Sequence, residues 1–429
     1  MNAKHAISTL LAAGMVLTQG LLGQTAPKGF VAHEWGTFTS FQGSDGVPLK
    51  WSNPFATAKL PQFVYDWKKP GLGRQTTSPL FAGVFSKGEV VTLQRMETPV
   101  IYFYSDRERS VDVTVRFPQG LMTEWYPQTT TLGPSVAPPP ASVRSLDSLL
   151  HRAGISRNFS TASILGDNSV KDNLIAWKGV RVRPTVPDTE VASLLPKDAT
   201  GNHYLTARET DAAILKVVTT NQTAEYEKFL FYRGVANFVA PLKVSMPGDD
   251  VLVILNAGKE PLEHLFVMKL EQGQGRLIHL ERIGAGEQKS LTLGGEGIAL
   301  TPEGMSEQLK KQMVEALVGQ GLYPREATAM VNTWKDSWFD EEGTRVLYIM
   351  PRAWTDATLP MKLSPAPDEL VRVMVARAEV LSPKVERILV SENSAANGNA
   401  SFNAGMFKQL GRFGSAALEH VRAKAAPSQ

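Results

Sequence analysis

The chain has 429 residues, 43% of them hydrophobic and 20% charged, and its 45 lysines and arginines against 42 acids give a net charge of +3. That balance gives no electrostatic case for nucleic acid, and no basic run suggests an anionic membrane surface. Cysteine is absent, which excludes disulfides, thiol nucleophiles and Cys-ligated zinc, and the lack of stray thiols suits an oxidising compartment.

Met1–Ala26 reads as an export signal. Lys4 is its one formal charge, Ala6–Gly23 is an apolar run, and the exit is built of small residues. Gly14, Thr18, Gln19 and Gly20 weaken the rival reading of a membrane anchor, because a spanning helix wants about 20 strongly apolar residues. The expected location is periplasmic or secreted. No later stretch is apolar enough to span a bilayer, so the mature chain is expected to lack a transmembrane helix. It keeps about 400 residues, enough for two or three cored domains.

Val31–Phe41 reads as the first strand. Gln42–Glu89 is a long irregular stretch carrying Trp51, Tyr65 and Trp67; such loops are usually functional, and the aromatic content argues against disorder. Val90–Tyr104 and Val111–Phe117 read as strands joined as in a hairpin by Asp106–Arg109. In the second, valines alternate with Asp112, Thr114 and Arg116, so one face is buried. Pro134–Pro140 is a stiff extended loop, and Ser145–Ala153 a short helix. Further strands are expected at Asn173–Arg183, Tyr204–Ala207, Ala213–Thr219, Tyr226–Arg233, Val251–Leu255, His264–Leu270, Arg276–Arg282 and Lys289–Leu293, with sandwich-like spacing. Met305, Leu309, Met313 and Leu317 predict a helix, and Pro324 opens a second whose face is Ala327, Met330, Val331, Trp334 and Trp338. Arg345–Met350 and Leu370–Ala378 return to strand. Ser382 caps another helix, Ser391–Ser401 is a polar loop, and Phe402–Ala425 is a terminal helix.

Candidate chemistry centres on four places. On an extended strand His33 and Trp35 share one face with Val31 while Glu34 takes the other; His33 is a general base or ligand, or more simply a hydrogen-bonded histidine at a seam above a core Trp35. Arg95 and Glu97 share a strand face and can pair, with Pro99 ending regular pairing; Glu97 is an acid candidate or half of a structural ion pair. Glu124, Trp125 and Tyr126 place a carboxylate beside aromatics, as sugar subsites do. Glu34, Glu97 and Glu124 would then supply the carboxylate pair of glycoside hydrolysis. Arg233, His203 and the Arg352–Asp356 neighbourhood read more simply as turn or interdomain contacts. There is no His-Glu-x-x-His, no Gly-x-Ser-x-Gly, no Walker loop and no Gly-x-Gly-x-x-Gly, so zincin, common serine-hydrolase and nucleotide chemistry are not expected, and no metal or cofactor is assigned.

The segments Ala32–Thr39, Arg95–Tyr104, Glu124–Pro127, Phe231–Gly234, Trp334–Trp338 and Tyr348–Arg352 resemble those of a family of uncharacterised exported bacterial proteins. They span most of the mature chain, so the resemblance implies a shared architecture and carries no activity.

The expected fold is mainly β with α: two β-sandwich-like regions plus a helical hairpin and C-terminal helices. The expected segments are a signal at 1–26, a β-rich domain at 27–140, a second β-rich region at 141–300, and helices with returning strands at 301–429. The favoured function is a non-catalytic binding or assembly protein of the cell envelope or exterior. Trp35, Trp51, Tyr65, Trp67, Arg95, Trp125, Tyr126 and Arg233 would form its recognition surface, for a glycan or an envelope protein. The alternative is a hydrolase of extracellular glycan or other polymer using Glu34, Glu97 or Glu124 with His33.

Overall fold

The computed structural model describes residues 29–51, 60–66, 91–133, 172–198, 203–395 and 410–425. The expected leader, Trp67, the Pro134–Pro140 loop and the Ser145–Ala153 helix lie outside them. The fold is mainly β with α, as expected.

Eight long strands make most of the main sheet: β1 (Phe30–Gln42), β2 (Gln94–Ser105), β3 (Gly120–Tyr126), β4 (Leu230–Ala236), β5 (Leu262–Glu271), β6 (Gln274–Ile283), β7 (Gly343–Ile349) and β8 (Glu369–Val380). In space they run β6-β5-β7-β8-β1-β2-β4-β3, and three short strands bring the total to 11. Segments 27–140, 141–300 and 301–429 each contribute strands to it. β1 lies at its centre, parallel to β8 from Val31↔Glu369 to Gln42↔Val380 and antiparallel to β2. Covered on both edges and both faces, all 13 residues of β1 are buried.

One face of this sheet packs on a six-stranded and a three-stranded sheet. A continuous apolar cluster fills the gap, with Phe38, Phe103, Val113, Trp125, Trp177, Tyr232, Ile254 and Tyr348 among its members. The other face carries α1 (Pro302–Gly319), α2 (Pro324–Lys335) and a π-helical turn, Asp336–Asp340. Met305, Leu309, Met313, Met330, Val331, Trp334 and Trp338 point onto Trp35, Tyr102, Phe266 and Leu347. The helical hairpin thus buries the stripe its spacing predicts. A third cluster joins α3 (Pro383–Ala395) and α4 (Gly414–Ala425) to Phe41, Leu49 and Trp51.

Three local expectations are corrected. Asp106–Arg109 does not close a hairpin: β2 stays in the main sheet, while the strand that begins at Arg109, Arg109–Phe117, pairs with Asn173–Arg183 and Met361–Ser364 in the six-stranded sheet. The chain crosses between layers because Val111, Val113, Val115 and Phe117 present their apolar side to the core from the opposite sheet. Tyr204–Ala207 is part of a 3-10 helix, His203–Arg208, held by Arg208 on Glu227 at 2.7 Å. Ser391–Ala395 continues α3.

Pro99 does interrupt pairing. The register steps from Trp35↔Val100 to Thr37↔Glu97, leaving Thr98 and Pro99 opposite the single residue Gly36. Such a bulge brings backbones close. A Cβ on Gly36 would lie 2.8 Å from Pro99 Cα and 3.1 Å from Met374 Sδ. Gly36→Ala is therefore expected to destabilise the fold by about 1–3 kcal/mol through overpacking, read as a lower urea midpoint with unchanged slope.

Candidate functional site

The helix-bearing face of the main sheet is divided along its strands. One end is apolar, with Val31, Trp35, Val100, Tyr102, Phe231, Leu347, Val373 and Val375. The other end of the same strands is polar and buried, with Thr39 on β1, Arg95 and Glu97 on β2, Glu124 on β3, Arg233 on β4, Arg345 on β7, and Arg377 and Glu379 on β8. Four residues singled out from sequence, Arg95, Glu97, Glu124 and Arg233, are thus brought onto three adjacent strands. Arg233 sits directly opposite Glu124, beside a register shift at Gly234.

Arg95 is the anomaly of this cluster. It is 1% exposed, and none of its three guanidinium nitrogens has a hydrogen-bond partner among the described residues. Burial pulls its pKa down to about 10, against the opposing fields of Glu97 and Glu124. The Trp51 ring lies 5.4 Å from its guanidinium carbon, a cation–π contact that offsets part of the desolvation. A buried cation normally has carboxylate or carbonyl partners. Other buried polar atoms close by also have no hydrogen-bond partner among the described residues: Arg233 Nε, Arg412 Nε, Trp51 Nε1 and His203 Nε2.

Glu97 and Glu124, the carboxylates whose fields act on Arg95, are engaged. Glu97 Oε2 accepts from Thr39 Oγ1 at 3.1 Å and from Arg412 Nη1 at 3.3 Å. Glu124 Oε2 accepts from Thr123 Oγ1 at 2.6 Å. Arg412 Nη2 reaches Ser337 Oγ at 3.2 Å, in the π-helical turn. Beyond it Arg377 donates to Glu341 and to Glu379, both at 2.7 Å, and Arg345 donates to Glu379 at 3.0 Å. A cleft of about 750 Å3 opens here, lined by Glu341, Glu379, Arg412, Phe413, Lys384 and Lys269 among others. The cluster therefore has a solvent-facing edge at Arg412.

His203 stands against Trp334, with ring centroids 5.5 Å apart. Burial, reinforced by Arg233, lowers its pKa to about 4 from 6.5, although Glu97 and Asp336 oppose the shift. The unfolded chain binds this proton below about pH 6.5 and the folded chain refuses it until about pH 4. The contribution is complete above 6.5 and is lost as pH falls through that window, on the order of 3 kcal/mol in all. Melting curves of wild type and His203→Gln between pH 7 and 4 check this: the variant is expected to lose less stability on acidification.

His33 and Glu34 point to opposite faces, as strand alternation requires. His33 Nδ1 meets Glu326 Oε2 at 2.6 Å, both side chains buried. The same oxygen accepts the Tyr323 backbone N–H at 2.9 Å, the N-terminal reach-back that starts α2. His33 also packs on Tyr104 and Tyr323. It pins the helical hairpin to the sheet. Glu34, on the other face, accepts from Arg372 Nε at 2.7 Å and from the Tyr232 hydroxyl. Burial first, then the Glu34 charge, pushes the Tyr232 pKa well above its usual value, so the phenol stays a donor at neutral pH.

The aromatics expected to form an open recognition surface are packed inside. Trp35 and Trp125 are 0% exposed and belong to the two main cores. Trp51 is buried under Arg95, Arg412 and Phe413. Tyr126 is buried against Phe63, and half-buried Tyr65 donates to Glu225. Apolar area removed from water stabilises each ring here. Arg345, Arg372, Arg377 and Arg412 are the residues that sequence reasoning missed. The available signal was arginine at alternate places in strands otherwise read as apolar, Val371-Arg372-Val373 and Ala376-Arg377-Ala378.

No protein-family model matches the chain, and no curated protein matches it. Among solved structures it is similar to the yeast delta-COP-I mu-homology domain, with 7% identity and a TM-score of 0.26 over 82% of this chain and 98% of that one. The same domain complexed with a Dsl1 WxWxV peptide gives 6% identity and a TM-score of 0.27 over the same shares. Likeness at that level carries no argument about this chain.

Proposed function

We propose that the protein is an exported, non-catalytic binding protein of the cell envelope or exterior that takes an anionic group at the arginine-rich end of its main sheet. The observation that carries this reading is Arg95, buried with no hydrogen-bond partner among the described residues, beside Arg233 and Arg412, whose Nε atoms have none among them either. An oxyanion, whether carboxylate, sulfate or phosphate, is the chemical complement of such a site, since charge-assisted bonds to guanidinium are short and strong. The apolar leader supports export. Binding is favoured over glycoside hydrolysis because Glu97 is already held by Arg412 and Thr39, and Glu124 by Thr123, whereas hydrolysis needs a carboxylate facing substrate across an open cleft. Glu34 lies on the opposite sheet face, paired with Arg372.

Calorimetric titration with sulfate, phosphate and oligogalacturonate tests the reading, with wild type, Arg95→Met and Arg233→Met compared. Saturable binding that weakens about 10–100-fold in both variants is expected for the loss of a charge-assisted contact. Absence of binding for every anion, or turnover of the oligomer that Glu97→Gln abolishes, would reject it.

A further inference from the structure

A second cluster lies far along the sheet, on the hairpin of β5 and β6. The pairs Glu263↔Arg282 and Leu265↔Leu280 bracket His264 and Glu281, which stand opposite each other without regular pairing. Against β7 the register of β5 shifts between Glu263 and Phe266, so His264 sits in a bulge, with φ +49°. A left-handed conformation at a non-glycine residue costs on the order of 1–3 kcal/mol and persists where surrounding structure fixes it. Here it places the His264 ring over His279, with centroids 5.9 Å apart and planes 18° from parallel. His279 in turn stacks on Phe266 at 4.4 Å. The stack holds both imidazoles in register with Glu281, two residues from His279 on the same strand face.

We propose that His264, His279 and Glu281 form a binding site for one divalent transition-metal ion of the zinc or copper class. One ligand atom from each lies within 4.8 Å of the others. His264 Nδ1 is 3.5 Å from Glu281 Oε2, and His279 Nδ1 is 3.6 Å from Oε1. Tetrahedral zinc with bonds near 2.0–2.1 Å sets its ligands about 3.3 Å apart, so small side-chain rotations complete the site. Two imidazole nitrogens and one carboxylate suit such ions rather than calcium or magnesium. The Nδ1 of His264 and the Nε2 of His279 have no hydrogen-bond partner among the described residues. Glu281 is 77% exposed, so the remaining coordination positions face solvent, where water or a group from another molecule completes the shell. The site is independent of the arginine cluster and survives or fails on its own.

Isothermal titration of the full chain with zinc alone tests it, with wild type beside His279→Ala, His264→Asn and Glu281→Gln. Asparagine is chosen because it tolerates the left-handed backbone. One saturable site is expected, weakened more than about tenfold in each histidine variant. Zinc is also expected to shift the imidazole proton resonances of His264 and His279 while leaving those of His203 and His420 in place, a reading that does not depend on a variant folding. No saturable zinc binding by wild type, or an affinity changed less than about threefold in either folded histidine variant, overturns the proposal.

Discussion

Glu34→Ala is expected to lower the unfolding free energy by about 3–5 kcal/mol, the usual cost of removing one partner of a buried ion pair. Glu34 and Arg372 are buried at 0% and 1% side-chain exposure, and their Nε–Oε2 distance is 2.7 Å. Deleting the carboxylate leaves Arg372 with Asp356, at 2.8 Å, as its remaining ion-pair partner among the described residues, and strips the buried Tyr232 hydroxyl of its carboxylate acceptor. The test is a urea denaturation series of wild type, Glu34→Ala, Arg372→Met and the double variant Glu34→Leu/Arg372→Met. The double variant is expected to recover much of the loss, because well-packed apolar replacements of a buried pair are often neutral or better. A loss below about 1 kcal/mol in Glu34→Ala would mean that water reaches this pair.

Arg95→Met is expected to act in the opposite direction on stability while removing anion binding. A guanidinium that is 1% exposed and has no hydrogen-bond partner among the described residues carries a desolvation cost in the fold, and an apolar side chain of similar volume removes that cost. Its lowered pKa has the same origin: the folded state resists the charged form. A higher melting temperature together with weaker binding of sulfate or phosphate is the signature of a residue kept for its ligand. A clear drop in stability with unchanged affinity would make Arg95 a structural residue and would remove the basis of the binding proposal. Arg345→Met is the useful contrast, because that guanidinium is satisfied by Glu379 and by the Trp338 and Glu342 carbonyls; it is expected to destabilise by about 3–5 kcal/mol.

Much of the local structure was legible. The alternation of Val111, Val113, Val115 and Phe117 is a strand with one buried side, as written. The four-residue recurrence from Met305 to Leu317 and the proline before Ala327 gave a helical hairpin within a few residues of its bounds. Strand alternation also gave the divergence of His33 and Glu34. The Arg95–Glu97 face was visible, but its company was not. Glu124, Arg233 and Arg412 join it from strands and a segment up to 315 residues away.

The sequence by itself determined the residue periodicities, the cysteine-free chemistry and the apolar run near the N-terminus, because each depends only on neighbours along the chain. The tertiary structure decided which polar residues are buried and with whom. His33 finds Glu326 at a separation of 293 residues, and Glu34 finds Arg372 at 338. No local pattern encodes those partners, because β1 becomes central only when β8 closes beside it. It also decided that Trp35, Trp51 and Trp125 are core: an aromatic side chain reads the same whether it faces a ligand or another sheet, and only the covering layer sets its exposure.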